Sequence, residues 1–208
     1  MRKNFYLLAV LFVSALFLFP SCNDDDGVSP APVSRVISGT IENFPTDGKY
    51  ILEAEVNETV VATAEIASDG KFTITLPEEI ATEELDLLAN IESLYNVSDG
   101  SVSIKALDFE VYKENGSYLS GLALGKYDNG VRTIAVPTYS NGKATISGTA
   151  EEHQEFGGVE GKAVVTVNCA LQTGWNWILI TERSGSIVQV SKNPSGLKWV
   201  LENDLYKD

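Results

Sequence analysis

Between Tyr50 and Leu76 apolar and polar residues alternate, the period-two pattern of strands that bury one face. Leu52, Ala54 and Val56 share one side, with Glu53 and Glu55 on the other. Val60, Ala62, Ala64 and Ile66 repeat the pattern against Thr63 and Glu65, and Phe72, Ile74 and Leu76 alternate with Lys71, Thr73 and Thr75. With Val36 to Ile41 these segments predict a small antiparallel meander over 34–77. Asp69-Gly70 supplies a tight turn, because glycine takes the positive φ that such turns require, and Pro77 stops the sheet. From Glu78 to Ile91 the period changes. Ala81, Leu85 and Leu88 are spaced like one helical face, Thr82 can cap, and Glu83 and Glu84 suit a helix N-terminus. A short helix and its connection over 78–96 are expected to bridge to a second β region, 97–208.

That region again reads as strands. Val102 and Ile104 have one parity and Leu107, Phe109 and Val111 the other, which a bulge near Lys105-Ala106 would reconcile. Tyr118 to Tyr127 and Val131 to Tyr139 flank a hairpin tip at Asp128-Asn129-Gly130. Lys143 to Gly148, Val159 to Leu171, Trp175 to Thr181, Ser186 to Val190 and Leu197 to Leu201 follow. About eleven strands with turns at this spacing predict an all-β chain, an antiparallel β-sandwich built as one large or two small units.

Ahead of the strands stands a segment of another kind. Arg2 and Lys3 form a basic head, Phe5 to Phe19 is apolar apart from Ser14, and Pro20-Ser21-Cys22 closes the run. This is the pattern of a secretory signal, and it falls short of the roughly 20 apolar residues that span a bilayer. Residues 1–21 resemble a bacterial lipoprotein signal peptide, although Phe19 and Pro20 stand where Leu and a small residue are commoner. The resemblance implies acylation of Cys22 and a lipid bilayer as partner, held by two or more acyl chains. Asn23-Asp24-Asp25-Asp26-Gly27, Pro30 and Pro32 then read as a disordered acidic linker over 22–33. Cys-Asn-Asp-Asp-Asp also resembles the signal that sends Bacteroidetes-type lipoproteins to the outer face of the outer membrane.

Charge and cysteine content narrow the functions. Without its leader the chain keeps 13 basic and 29 acidic residues, a formal −16 against −14 for the full chain. So acidic a surface repels phosphate backbones and excludes nucleic acid as a partner. With Cys22 acylated, Cys169 has no partner for a disulfide and reads as a small buried hydrophobe.

The stretch from Gly39-Thr40-Ile41 through Asp69-Gly70-Lys71-Phe72-Thr73-Ile74-Thr75-Leu76-Pro77 resembles the opening module of Bacteroidetes-type surface lipoproteins with β-sandwich domains. Its pattern is similar to transthyretin-like or carboxypeptidase-regulatory-like β-domains. Gly174-Trp175-Asn176-Trp177 and Asn193-Pro194-Ser195-Gly196-Leu197-Lys198-Trp199 resemble the endings of those lipoproteins. The resemblance implies a fold class and a location and carries over no catalytic residue.

Candidate chemistry is sparse. His153 is the only histidine, so a multi-histidine zinc site cannot be built. It sits in Glu151-Glu152-His153-Gln154-Glu155, which reads as a polar hairpin loop. No glycine-rich phosphate loop opens a helix. Asp24-Asp25-Asp26 and Asp128-Asn129 do not match a calcium loop, and no metal or cofactor is assigned. Carboxylates are plentiful enough for a hydrolase pair, but nothing singles out two of them. Trp175 and Trp177, on one strand face beside Asn176, form either a platform for sugar rings or part of a sandwich core; Trp199 reads as core with Leu197 and Leu201. The expectation is a non-enzymatic cell-surface binding module for a glycan or a partner membrane protein. A structural or adhesin-type component is the alternative, and a carboxylate-dependent hydrolase stands third.

Overall fold

The computed structural model describes residues 33–156 and 159–205. The expected leader 1–21, the expected lipidation site Cys22 and the expected linker through residue 32 lie outside them, as does the side chain of His153. In chain order the strands are β1 (Val36–Thr40), β2 (Tyr50–Val56), β3 (Thr59–Ile66), β4 (Lys71–Thr75), β5 (Asp86–Leu87), β6 (Asn96–Val97), β7 (Ser103–Ala106) and β8 (Asp108–Lys113). Next come β9 (Tyr118–Asp128), β10 (Val131–Ser140), β11 (Ala144–Phe156), β12 (Val159–Leu171), β13 (Gly174–Arg183), β14 (Ser186–Ser191) and β15 (Lys198–Leu201). Among the described residues no helix is long and apolar enough to cross a membrane.

The chain is all-β and sandwich-like. One sheet runs β3-β2-β8-β9-β10-β13-β14-β12-β11-β6, with β15 on β9 and β7 and β5 branching from β10; β1 and β4 form a separate pair. The ladders are antiparallel except for β12 with β14. β9 serves several neighbours: its start pairs with β8, and Leu124 and Gly125 each pair with both β10 and β15.

Two main cores follow from this topology, beside a small cluster of Ala123, Ile134 and Leu205. Leu52, Ala54 and Val56 of β2, Phe109 and Val111 of β8, and Ile37, Phe72 and Ile74 of β1 and β4 share the first. The β1–β4 pair is thus packed against the β3-β2-β8 sheet as the second layer of a sandwich. Trp199 sits inside, edge-on to Phe72 (ring centroids 5.1 Å) and Phe109 (5.6 Å). The second core joins Ala163, Val165, Val167 and Cys169 of β12 to Ile146, Ile178, Leu88 and Tyr95. β13 stands between the two. Trp175, Trp177 and Leu179 pack with the first core, while Ile178 belongs to the second, as strand alternation requires.

Three elements ahead of β9 differ from the sequence reading. Residues 78–91 form two 3₁₀ turns, Thr82–Glu84 and Leu88–Ile91, around the short β5. Ile80 is buried in the first core and Leu88 in the second, so no single helical face could serve both. The meander is also rearranged. β2 and β3 form a hairpin closed by Asn57 and Glu58, both at positive φ, but the next turn hands β4 to the other layer, where it pairs with β1. β2 instead pairs with β8, so residues 34–77 and the later strands share a sheet and a core. Finally, the parity change near Lys105 is a strand break. Leu107 is buried and its N–H donates to Pro137 C=O at 2.9 Å, which separates β7 on β10 from β8 on β2.

Gly39 lies directly against the Trp199 indole. A Cβ built there would lie 2.2 Å from Trp199 Cδ1 and 2.4 Å from Nε1, and the indole is held by two aromatic rings. Gly39→Ala is therefore expected to lower stability by about 1–3 kcal/mol, the usual cost of overpacking a core. Urea unfolding followed by tryptophan fluorescence checks this; an unchanged midpoint would show that the indole relaxes freely.

Candidate functional site

Register places the acidic residues of β2 and β8 face to face. Glu53 lies directly opposite Glu110, and Glu55 opposite Asp108. Directly opposed residues share a face of the sheet, and Leu52, Ala54, Phe109 and Val111 occupy the inner one. All four side chains therefore project from the outer face of the sheet, where Glu55 is buried at 7% exposed and Glu53, Glu110 and Asp108 are more open. The same rows continue onto β3, where Thr63 faces Glu53, Val60 faces Glu55 and Glu65 faces Ile51. On the other side Glu110 faces Gly121 of β9. A Cβ at Gly121 would meet the Glu202 carboxyl at 2.5 Å, so the bare glycine leaves room for a fifth acid beside Glu110. Tyr112, next to Glu110 on this face, donates its hydroxyl hydrogen to that carboxylate.

Burial first, and neighbouring carboxylates after it, perturb two of these groups, Asp108 and Glu202. The protein packed around the Asp108 carboxyl, then Glu202 and Glu110, push it up to about 6 against the pull of Lys105. The residue stays open to water on its outer side, so solvent screens the energetic weight of that shift. Burial also raises Glu202, with Arg132 opposing and Glu110 adding to the shift. The nearby cations have carboxylate partners elsewhere: Arg132 pairs with Glu182 at 3.1 Å and Lys105 with Asp86 at 2.8 Å.

Two concavities border the face. A cleft of about 320 Å³ is lined by Glu53, Glu55, Glu58 and Glu114, together with Lys113, over a floor that includes Ile51, Val60 and Tyr112. Four glutamates against one lysine around an apolar floor suit the stem and head of a further lysine or arginine side chain. A more open groove of about 730 Å³ runs past the end of β3, between Glu65 and Ile66 on one side and Lys71, Thr73 and Ser38 on the other. Among the described residues no group of three or more acidic, histidine or cysteine side chains is arranged to hold a metal ion.

The residues singled out from sequence lie elsewhere. Trp175 and Asn176 are only 3% and 4% exposed, which removes both from any platform for a sugar. Trp175 stacks edge-on with Tyr139 at 5.5 Å, and its Nε1–H donates to Pro77 C=O at 2.9 Å. Asn176 ties its own turn: Nδ2 donates to the carbonyls of Gln172 (2.8 Å) and Gly174 (2.9 Å), and Oδ1 accepts from Gln172 N–H. Trp177 is half-buried against the same core. Trp175 belongs to the sandwich interior, and Trp177 packs at its margin. Trp199 is core, and Cys169 is a free, buried thiol that burial pushes up.

Residues Glu151 to Glu155 are the end of the long strand β11, in register with β12, rather than a loop. Glu152 is the reason within reach: it is buried, at 2% exposed, and accepts a hydrogen bond from Tyr95 OH at 2.5 Å. Asp108, Glu110 and Glu202 went unmarked in the sequence. The alternation Asp108-Phe109-Glu110-Val111 signals a polar strand face, but only the β2–β8 register sets it against Glu53 and Glu55. No protein-family model, curated protein or solved structure matches this chain, and its geometry carries the functional argument.

The raised Asp108 carboxyl fixes a pH trend. The folded chain holds that proton up to about 6, whereas the unfolded chain releases it near 3.8. Between those values the folded state binds more protons, so stability falls as pH rises through the window. Thermal melts are expected to show Tm rising from about pH 7 to about pH 5, with Asp108→Asn raising Tm at neutral pH and flattening the slope. An unaltered slope in the variant would place the effect at other carboxylates.

Proposed function

We propose that this chain is a lipid-anchored cell-surface protein whose β-sandwich is a non-enzymatic binding module for a partner membrane protein. Acyl chains on Cys22 hold it in the outer membrane, and Asp24, Asp25 and Asp26 direct it to the outer face. The observation that carries this reading is the leader from Arg2 to Cys22: basic head, apolar run, Ser21, then cysteine. Lipid on Cys22 supplies attachment that the domain's charge opposes, since a formal −16 disfavours anionic headgroups.

The binding role is supported by the carboxylate face of β2 and β8. It is a predominantly acidic surface on paired strands, bordered by two concavities into which Lys113 and Lys71 also reach, and such a field steers and selects a charged partner. A protein partner is preferred to a glycan because both members of the candidate sugar platform, Trp175 and Trp177, pack against the core.

The anchor is tested in the cells that make the protein. Labelled palmitate should co-migrate with the wild-type chain in the membrane fraction, and protease added to intact cells should remove the domain. Cys22→Ala should abolish both label and membrane retention. A wild-type chain that is released unlabelled into the medium would sink the anchored reading.

A further inference from the structure

Backbone directions on β3 follow from hydrogen bonds on its neighbour. Glu114 N–H donates to Lys49 C=O at 3.0 Å, so Lys49 and every second residue after it face β8. Tyr50, Leu52 and Ala54 therefore face β3, where Ile66, Ala64 and Ala62 answer them. The N–H and C=O groups of Thr63 and Glu65 point the other way. Among the described residues that edge pairs with no strand. β4 repeats the situation. Ile41 N–H donates to Gly70 C=O and Leu76 N–H to Arg35 C=O, which turns Phe72 and Ile74 toward β1 and leaves Thr73 on an outer edge. The 730 Å³ groove is lined by both of these edges.

Exposed edges are commonly blunted by lysine, proline or a short strand. β3 is eight residues long and contains neither lysine nor proline; Glu65 is its one charge, and its one irregularity, a bulge at Val61, precedes the regular run from Ala62 to Ile66. A strand laid on this edge would carry alternate side chains on two different surfaces. Those on the outer face extend the rows Thr63–Glu53–Glu110 and Glu65–Ile51–Tyr112. Another acid there adds one more like charge to a crowded row, and a basic residue reaches over short Thr63 toward Glu53. Side chains on the inner face meet Ala62 and Ala64, which pack against the first core, and there apolar residues fit.

We propose that the free edge of β3 receives an extended segment of a partner protein, alternating basic and apolar residues, by strand addition. This rests on the binding-module reading above and names the partner's chemistry. Ladder hydrogen bonds from Thr63 and Glu65 supply affinity, and the Glu53, Glu65 and Glu110 rows select the basic face.

The probe is a short blocked peptide alternating lysine and valine, titrated onto the full mature chain in neutral detergent. Its counterpart alternates glutamate and valine. Binding of the lysine peptide alone is expected, with the Thr63 and Glu65 amides showing the largest NMR shifts. Thr63→Pro removes one edge N–H and should weaken binding about tenfold, whereas Thr63→Val should leave it intact. Because the proline variant could also fail to fold, the same peptide N-methylated at the lysines, or at the valines, is titrated onto wild-type protein. One of the two methylated forms should lose binding. Equal binding by both would show charge adhesion without a ladder and overturn the proposal. So would no binding at all, or a stable dimer of the chain that occupies the edge. Palmitate labelling of Cys22 is read separately, so loss of strand addition and loss of the anchored reading remain distinct results.

Discussion

The ladder between β2 and β8 is the constraint on which the rest of this molecule depends. Its inner face places Leu52, Ala54, Phe109 and Val111 in the first core, and each large apolar side chain buried there contributes roughly 1.5–3 kcal/mol. Its outer face sets Glu53 against Glu110 and Glu55 against Asp108. Directly opposed like charges are destabilising, on the scale of about 0.2–1 kcal/mol for a cross-strand pair. Burial wins, and the acidic face is what the fold carries as a consequence. The same ladder makes one sheet of two regions that are far apart in sequence.

β13 provides the second organising element. Its alternate residues serve two cores, Trp175 and Leu179 on one side and Ile178 on the other. Two tryptophans at spacing two are therefore demanded by packing. Asn176 lies between them with its side chain spent on the turn at Gln172 and Gly174. A motif that looks like a ligand platform in one dimension is, in three, the wall of a hydrophobic interior and the knot that starts its strand.

Much of this architecture is legible along the chain wherever one local rule decides the outcome. Asn129 and Gly130 both take positive φ, and the hairpin of β9 and β10 forms at that tip. β12 runs from Val159 to Leu171, as its apolar alternation indicates. What escapes is set by partners far away. The apolar spacing of Ala81, Leu85 and Leu88 suggests a helix, yet Ile80 and Leu88 are drawn into different cores. Glu151 to Glu155 are polar enough for a loop, yet Tyr95 gives Glu152 a buried partner. The acidic face was half visible, since alternation puts Glu53 and Glu55 outward. Only strand pairing reveals what stands opposite them.

The pairing of β2 with β8 can be observed directly by NMR. Leu52 and Val111, and likewise Ala54 and Phe109, are directly opposed residues whose backbone groups point to other strands, the arrangement that brings Cα atoms closest, about 4.5 Å. Strong Hα–Hα cross-peaks are expected for both pairs in the intact chain. If they are absent and β2 gives cross-strand peaks only to residues before Leu76, the two regions are not one sheet, and the acidic face built on their union does not exist.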